Sequence, residues 1–170
     1  MPVVIAANVD EALIRSSAGR HKAAWMAGAD LGLAKQISPN LLGVLTVAVD
    51  VTSWREQTEL LTMTTTQARL SLLAEGHFGM GDDHFRFVVA AGPAATLATT
   101  TLNTLSALSS LQGGRAVLGL DVLVGKTGPA PSGDMDVHYA PHLTIGVHSG
   151  IFVHREGMDA ELGLRAGWRF

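Results

Sequence analysis

The last twelve residues of the chain run Asp159-Ala-Glu-Leu-Gly-Leu-Arg-Ala-Gly-Trp-Arg-Phe170. Every even position is apolar: Ala160, Leu162, Leu164, Ala166, Trp168 and Phe170. Every odd position is polar or glycine: Asp159, Glu161, Gly163, Arg165, Gly167 and Arg169. Side chains alternate faces along a strand, so this segment predicts a β-strand with one apolar face and one charged face.

The same two-faced pattern recurs along the chain. In His21 to Lys35, Trp25, Leu31 and Leu33 oppose Lys22, Asp30 and Gly32. In Leu41 to Trp54, Leu45, Val47, Val49 and Val51 oppose Thr46, Asp50 and Thr52. Leu60 to Phe78 sets Leu70 and Leu72 against Arg69 and Glu75, with the Thr-rich part, Thr62 to Thr66, projecting beyond any membrane. From His84, Phe85, Phe87 and Val89 oppose Arg86. Arg115 to Lys126 sets Leu118, Leu120 and Val122 against Arg115 and Asp121. Val137 to Val153 sets Tyr139, Leu143, Ile145 and Val147 against His138, His142 and His148. Pro2 to Val9 reads as a first strand cut short, with Val9 to Ser17 either more strand or one or two helical turns. Ala94 to Gln112 is either a short helix or an extension of the preceding strand followed by a Ser/Leu loop, and we favour the extension. Pro93 stands where a central ladder strand is poorly served by proline.

Between these segments lie turn signals: Ile37 to Asn40, Arg55 to Glu59, Gly79 to Asp83, Thr127 to Asp134 and Arg155 to Met158. Eight strands joined nearest-neighbour to nearest-neighbour close most simply as an up-and-down antiparallel barrel, which leaves no edges. No periodic helices intervene, so an α/β fold is excluded. A chain of 170 residues makes one domain.

Composition narrows the class. Mean hydropathy is positive, yet no apolar run approaches the ~18 residues of a membrane helix; the hydrophobicity is spread as alternation, as in a transmembrane barrel. Lys and Arg are scattered over a net charge of −3, which argues against nucleic acid as a partner. There is no cysteine, so disulfides and thiolate metal sites are excluded. Nothing in the sequence implies a cofactor. The start, Met1-Pro2 followed by Val3 to Ala7, lacks a basic residue ahead of its apolar patch and does not read as a secretory signal. An exported barrel predicts that a signal and the rest of the first strand lie upstream.

Alternation alone does not say which face is outside. Three features place the apolar face outward. The polar face carries both signs of charge in nearly every strand: Asp30, Asp50, Arg69, Glu75, Arg86, Arg115, Asp121, Glu161 and Arg165. These can pair in a narrow lumen. The same face is rich in glycine, which relieves crowding in an eight-stranded interior. The turns are hydrophilic and several are short.

On these residues the chain resembles the small eight-stranded outer-membrane β-barrel proteins of Gram-negative bacteria, the broad OmpA-like and OmpW-like class. Leu162-Gly-Leu-Arg-Ala-Gly-Trp-Arg-Phe170 resembles the carboxyl-terminal signal read by the barrel assembly machinery, with Trp168 and Phe170 at its two aromatic positions. Arg165 stands where that pattern usually carries glycine. The resemblance implies an outer-membrane location, insertion by the assembly machinery, contact with outer-membrane lipids and a monomeric, porin-like or purely structural role. The expected function is a non-enzymatic barrel, structural or with a narrow or plugged channel.

Other readings are open at this point. His138, His142, His148 and His154 share one strand face, but residues four apart in a strand are separated by roughly 13 Å, whereas a metal needs ligands within about 2.1 Å. They read as lumen filling rather than as a metal site. Some eight-stranded barrels modify lipid A, using a His-x-Ser pair on one face; here His148 and Ser149 are adjacent, and His142-Leu-Thr144 has the spacing without the serine. A soluble lipocalin-like barrel with its apolar face inside, holding a small apolar ligand, is the runner-up. Trp25, Trp54, Tyr139, Trp168 and Phe170 are candidate interface anchors.

Overall fold

The computed structural model describes residues 3–15, 21–38, 40–57, 61–80, 82–124 and 142–169. Eight strands follow in order: β1 (Val3–Arg15), β2 (His21–Ser38), β3 (Leu41–Gln57), β4 (Thr62–Met80), β5 (Asp82–Leu102), β6 (Leu105–Val124), β7 (His142–His154) and β8 (Gly157–Arg169). Each pairs antiparallel with its chain neighbours, and β8 pairs with β1 to close the barrel. Paired residues can be followed once round from Val3 through Leu33, Leu45, Ala74, Ala91, Ala116, Ile151 and Ala160. The path returns to β1 at Leu13, ten residues further along. This stagger is what tilts the strands in a closed barrel.

The faces are decided by burial. Outward Leu31, Leu70 and Leu164 are 56%, 55% and 62% exposed, while inward Asp10, Asp50 and Arg69 are 1–3% exposed. The apolar belt this makes runs round all eight strands, far larger than the patch a soluble monomer shows. Phe78, Phe85, Phe87 and Trp168 lie on it near the end that carries the chain termini, and Trp25 lies near the other end. Inside, two small apolar clusters flank the charged middle. Val4, Ala34, Leu42 and Val44 pack at the terminal end; Ala12, Ile14, Ala24 and Met26 pack at the opposite end with Trp54 against them. Trp54 therefore points inward and is no interface anchor: it follows Val51 at odd spacing, so the strand period turns it to the other face.

Several expectations are corrected. Of the two readings left open for Val9 to Ser17, the strand holds as far as Arg15, paired with β2 on one side and with β8 as far as Leu13 on the other. No helix forms there because both flanks of the segment are ladder partners. Arg55 to Gln57 belong to β3 and pair with β4 rather than forming a connection. The Ser/Leu stretch after Asn103 is not a loop but the first half of β6, paired residue by residue with β5. A two-residue turn, Asn103-Thr104, makes this possible, with Asn103 at φ 53°, a left-handed conformation that asparagine tolerates. Pro93 does sit inside β5. On the β4 side the ladder carries no pair between Ser71–Ala94 and Ala74–Ala91, so the missing N–H interrupts one stretch of ladder. Gly92 is required beside it, since a Cβ there would overlap the Leu72 carbonyl oxygen. The readings at Pro2, Ser16, Ser17, Pro39, Thr127 to Asp134, His138, Tyr139 and Phe170 lie outside the described residues.

Beyond the closed part, four strands continue. Pairing of β2 with β3 stops at Met26–Thr52 and that of β6 with β7 at Gly113–His154. β3 to β6 go on pairing as far as Gln57–Thr62 and Leu102–Leu105. β4, β5 and β6 have 19, 21 and 20 residues, well over the ~9–11 that cross a bilayer.

Candidate functional site: a charged lumen

The strand period sends one charged side chain after another into the barrel, and the stagger brings residues distant in sequence to one level. Asp50 on β3, Arg69 on β4, Arg115 on β6 and Glu161 on β8 form a closed ring of alternating charge. Arg69 Nη2 lies 3.3 Å from Asp50 Oδ2, Arg115 Nη1 2.9 Å from the same oxygen, and Arg115 Nη2 2.7 Å from Glu161 Oε1. Arg69 Nη2 with Glu161 Oε2 completes the ring. Arg115 Nε also donates to Glu161 Oε1 at 2.8 Å, and Asn8 Nδ2 donates to Asp50 Oδ1 at 3.0 Å. The Arg69 guanidinium lies 5.7 Å from the centroid of the Phe152 ring.

A second group sits on the side of the ring nearer the termini. Arg165 Nε is 3.1 Å from Asp30 Oδ2 and its Nη1 is 3.3 Å from Glu75 Oε2. His77 Nε2 is 2.8 Å from the same Glu75 oxygen. His148 Nε2 stands 2.8 Å from Asp10 Oδ1. On the other side of the ring, His154 stacks on Phe152 with centroids 5.1 Å apart and is 3.7 Å from Asp159. Isolated, any of these charges would carry a desolvation penalty of several kcal/mol; here most of them meet a partner.

Glycine makes the room. A Cβ on Gly28 would overlap the side chains of Asn8 and Asp50, one on Gly163 that of Asp10, one on Gly146 that of Asp121, and one on Gly150 that of Glu161. The inward glycines thus lie opposite the charged groups on neighbouring strands. Among the described residues one cavity of ≈ 30 Å³ is bordered by Asp30, Glu75, Asp121, Arg115, Arg165 and His148, enough for about two waters.

The structure brings together seven of the nine predicted lumen charges in ion pairs: Asp30, Asp50, Arg69, Glu75, Arg115, Glu161 and Arg165. Asp121 is buried on the cavity wall, directly across the ladder from half-buried Arg86. Of the histidines, His148 is buried in the lumen, the backbone of His142 opens β7, and His138 lies outside the described residues. Sequence reading missed Asn8, Asp10 and His77. The signal was available for two of them: His77 follows Glu75 at strand spacing, and Asp10 would have joined the inward face had β1 been carried past Val9. Among the described residues no three His, Asp or Glu side chains are placed to share a metal. His148 is buried while Ser149 faces outward, and Thr144 donates instead to the Gly167 carbonyl at 3.2 Å.

An eight-stranded antiparallel barrel, apolar outside and charged within, has the fold of the small transmembrane β-barrels. Solved structures with this fold cover nearly the whole chain. Neisserial surface protein A matches with a TM-score of 0.67 at 12% identity, over 99% of this chain and 97% of that one. Ail, the attachment invasion locus protein of Yersinia pestis, matches with 0.66 at 13% identity, over 99% and 98%. The N-terminal β-barrel domain of Pseudomonas aeruginosa OprF matches with 0.62 at 15% identity, over 99% and 97%. All three are small outer-membrane barrels, and at these identities the likeness is one of fold. No protein-family model and no curated protein sequence matches the chain.

Proposed function

We propose that the protein is a monomeric outer-membrane barrel of a Gram-negative bacterium whose role is structural, with a lumen closed by ion pairs rather than open to solutes. The observation that carries this reading is the ring of Asp50, Arg69, Glu161 and Arg115, which ties β3, β4, β6 and β8 across the interior. A fully paired ring of this kind gives a solute no unpaired charge to exchange with, and the cavity beside it has room for water only. The outward leucines and valines support a lipid environment and oppose a lipocalin-like carrier, which needs its apolar face inside. The opposed faces of His148 and Ser149 oppose a lipid-modifying enzyme. Trp168, exposed on the closing strand, and Phe170 supply the aromatic pair through which the barrel assembly machinery would take up the chain.

Planar-bilayer recording tests the closed lumen: the expected trace is flat, and resolved conductance steps from the purified chain would refute it. Behaviour without detergent tests the membrane reading. The chain should aggregate in plain buffer; a stable, folded monomer there would sink the outer-membrane assignment.

A further inference from the structure

The apolar belt ends abruptly where β3, β4 and β5 leave the closed barrel. Val51, Ala68 and Leu97 are paired across the three strands and are the last apolar outward residues. The next outward row on these strands is Ser53, Thr66 and Thr99, again paired with one another; β6 does not share the boundary, since exposed Leu108 stands opposite Thr99 and Ser110 opposite Leu97. The row after that is Arg55, Thr64, Thr101 and Ser106. On β3, β4 and β5 lipid-facing surface thus gives way to hydroxyls along one paired row. The hydroxyls are organised: Ser53 Oγ and Thr66 Oγ1 lie 3.2 Å apart, as do Thr101 Oγ1 and Ser106 Oγ. β-Propensity accounts for threonine in exposed strands, but not for a boundary drawn along a single row, nor for the scarcity of charge above it. With strands about 4.8 Å apart and alternate residues about 6.8 Å apart, the two rows span roughly 10–14 Å across the strands and about 7 Å along them, the size of a sugar ring or two side by side.

We infer that this outward hydroxyl face of β3 to β5, with Ser106 of β6 beside it, is a contact surface for the sugar headgroup of a glycolipid. The inference rests on the membrane reading above. It follows from continuity: the face stands directly above the belt that acyl chains cover, on the same side of the same strands, so headgroups are what reach it. Threonine and serine hydroxyls both donate and accept, as sugar hydroxyls do, and an array dominated by them complements a neutral polyol. A phosphate or carboxylate headgroup would instead call for clustered arginine or lysine.

The test uses the full chain folded in phosphatidylcholine nanodiscs containing a minority of diglycosyl diacylglycerol with the same acyl chains. The readout is the ratio of glycolipid to phosphatidylcholine retained by the protein in native mass spectrometry. Wild type should retain glycolipid enriched about tenfold over the bulk ratio, equivalent to roughly 1.4 kcal/mol and within reach of two net hydrogen bonds. The Thr66→Val/Thr99→Val/Thr101→Val variant keeps side-chain shape and strand preference, and should fall to the bulk ratio. A Thr65→Val/Thr100→Val variant, altered on the inward face of the same strands, should keep the enrichment. Bulk-ratio retention by wild type, or enrichment unchanged in the triple variant, would overturn the inference while leaving the membrane reading intact. Complete displacement by the free disaccharide at matched concentration would overturn the lipid-anchored source. Failure of the chain to insert into either bilayer would overturn both readings together.

Discussion

Replacing Arg115 is the sharpest test of how the lumen is held. Its guanidinium reaches Asp50 at 2.9 Å and Glu161 at 2.7 Å, and its side chain is 3% exposed. In Arg115→Met the two carboxylates keep only Arg69 between them, inside a wall that offers no bulk water. Removing one member of a buried pair typically costs 3–5 kcal/mol, and we expect about 3–4 kcal/mol here because Arg69 still bridges the acids. Replacing the whole ring behaves differently. With Asp50→Leu, Arg69→Met, Arg115→Met and Glu161→Leu together, no uncompensated charge remains in the ring, and stability should return to within about 2 kcal/mol of wild type or exceed it. Urea unfolding from phosphatidylcholine vesicles, followed by tryptophan fluorescence and by the mobility of unheated samples in electrophoresis, measures both variants. A loss below about 1 kcal/mol for Arg115→Met would show that the ring is solvated like a surface pair. A quadruple variant less stable than the single one would show that the charges stabilise the barrel by more than mutual neutralisation. Either result would refute the reasoning.

Other outcomes follow from the same structure. Leu164→Arg, on the middle of the belt, should cost roughly 2–4 kcal/mol in bilayer folding, whereas Leu108→Arg, 75% exposed on the projecting sheet, should be close to neutral; equal effects in a vesicle titration would misplace the membrane. Gly163→Val puts a side chain where Asp10 already stands, and should cost at least about 1–3 kcal/mol as overpacking, with Gly114→Val, whose nearest foreign atom would be 3.9 Å away, as the tolerated comparison. Asn103→Val should lose roughly 1–2 kcal/mol because a β-branched residue resists the left-handed turn, while Asn103→Gly should fold normally; thermal denaturation in detergent measures both.

Much of this fold is legible in the residue order because the relevant period is local. Leu45, Val47, Val49 and Val51 alternate with Thr46, Asp50 and Thr52 over a few ångströms of chain, and each strand repeats that pattern whatever its neighbours do. Charge and glycine on one face then imply a lumen. The places where reading by period went astray share a cause. Val9 to Arg15 and Leu105 to Gln112 have weak or mixed local signals, and they are strands because β2, β8 and β5 supply their ladder partners. Trp54 was assigned by residue type, and its parity in β3 turned it inward.

The sequence by itself determined that this chain forms about eight two-faced strands, that the apolar face looks outward, and that the acids and bases Asp30, Asp50, Arg69, Glu75, Arg115, Glu161 and Arg165 share the inside. Only the tertiary structure decided who pairs with whom. The stagger of ten residues around the barrel places Asp50, Arg69, Arg115 and Glu161 on one level and sets Arg165 between Asp30 and Glu75. Such registers depend on contacts between distant segments: Arg69 and Glu161 are 92 residues apart, and Val4 pairs with Arg169 across almost the whole chain. A period of two specifies a face but not a level, and the level is what turns a set of buried charges into a closed plug.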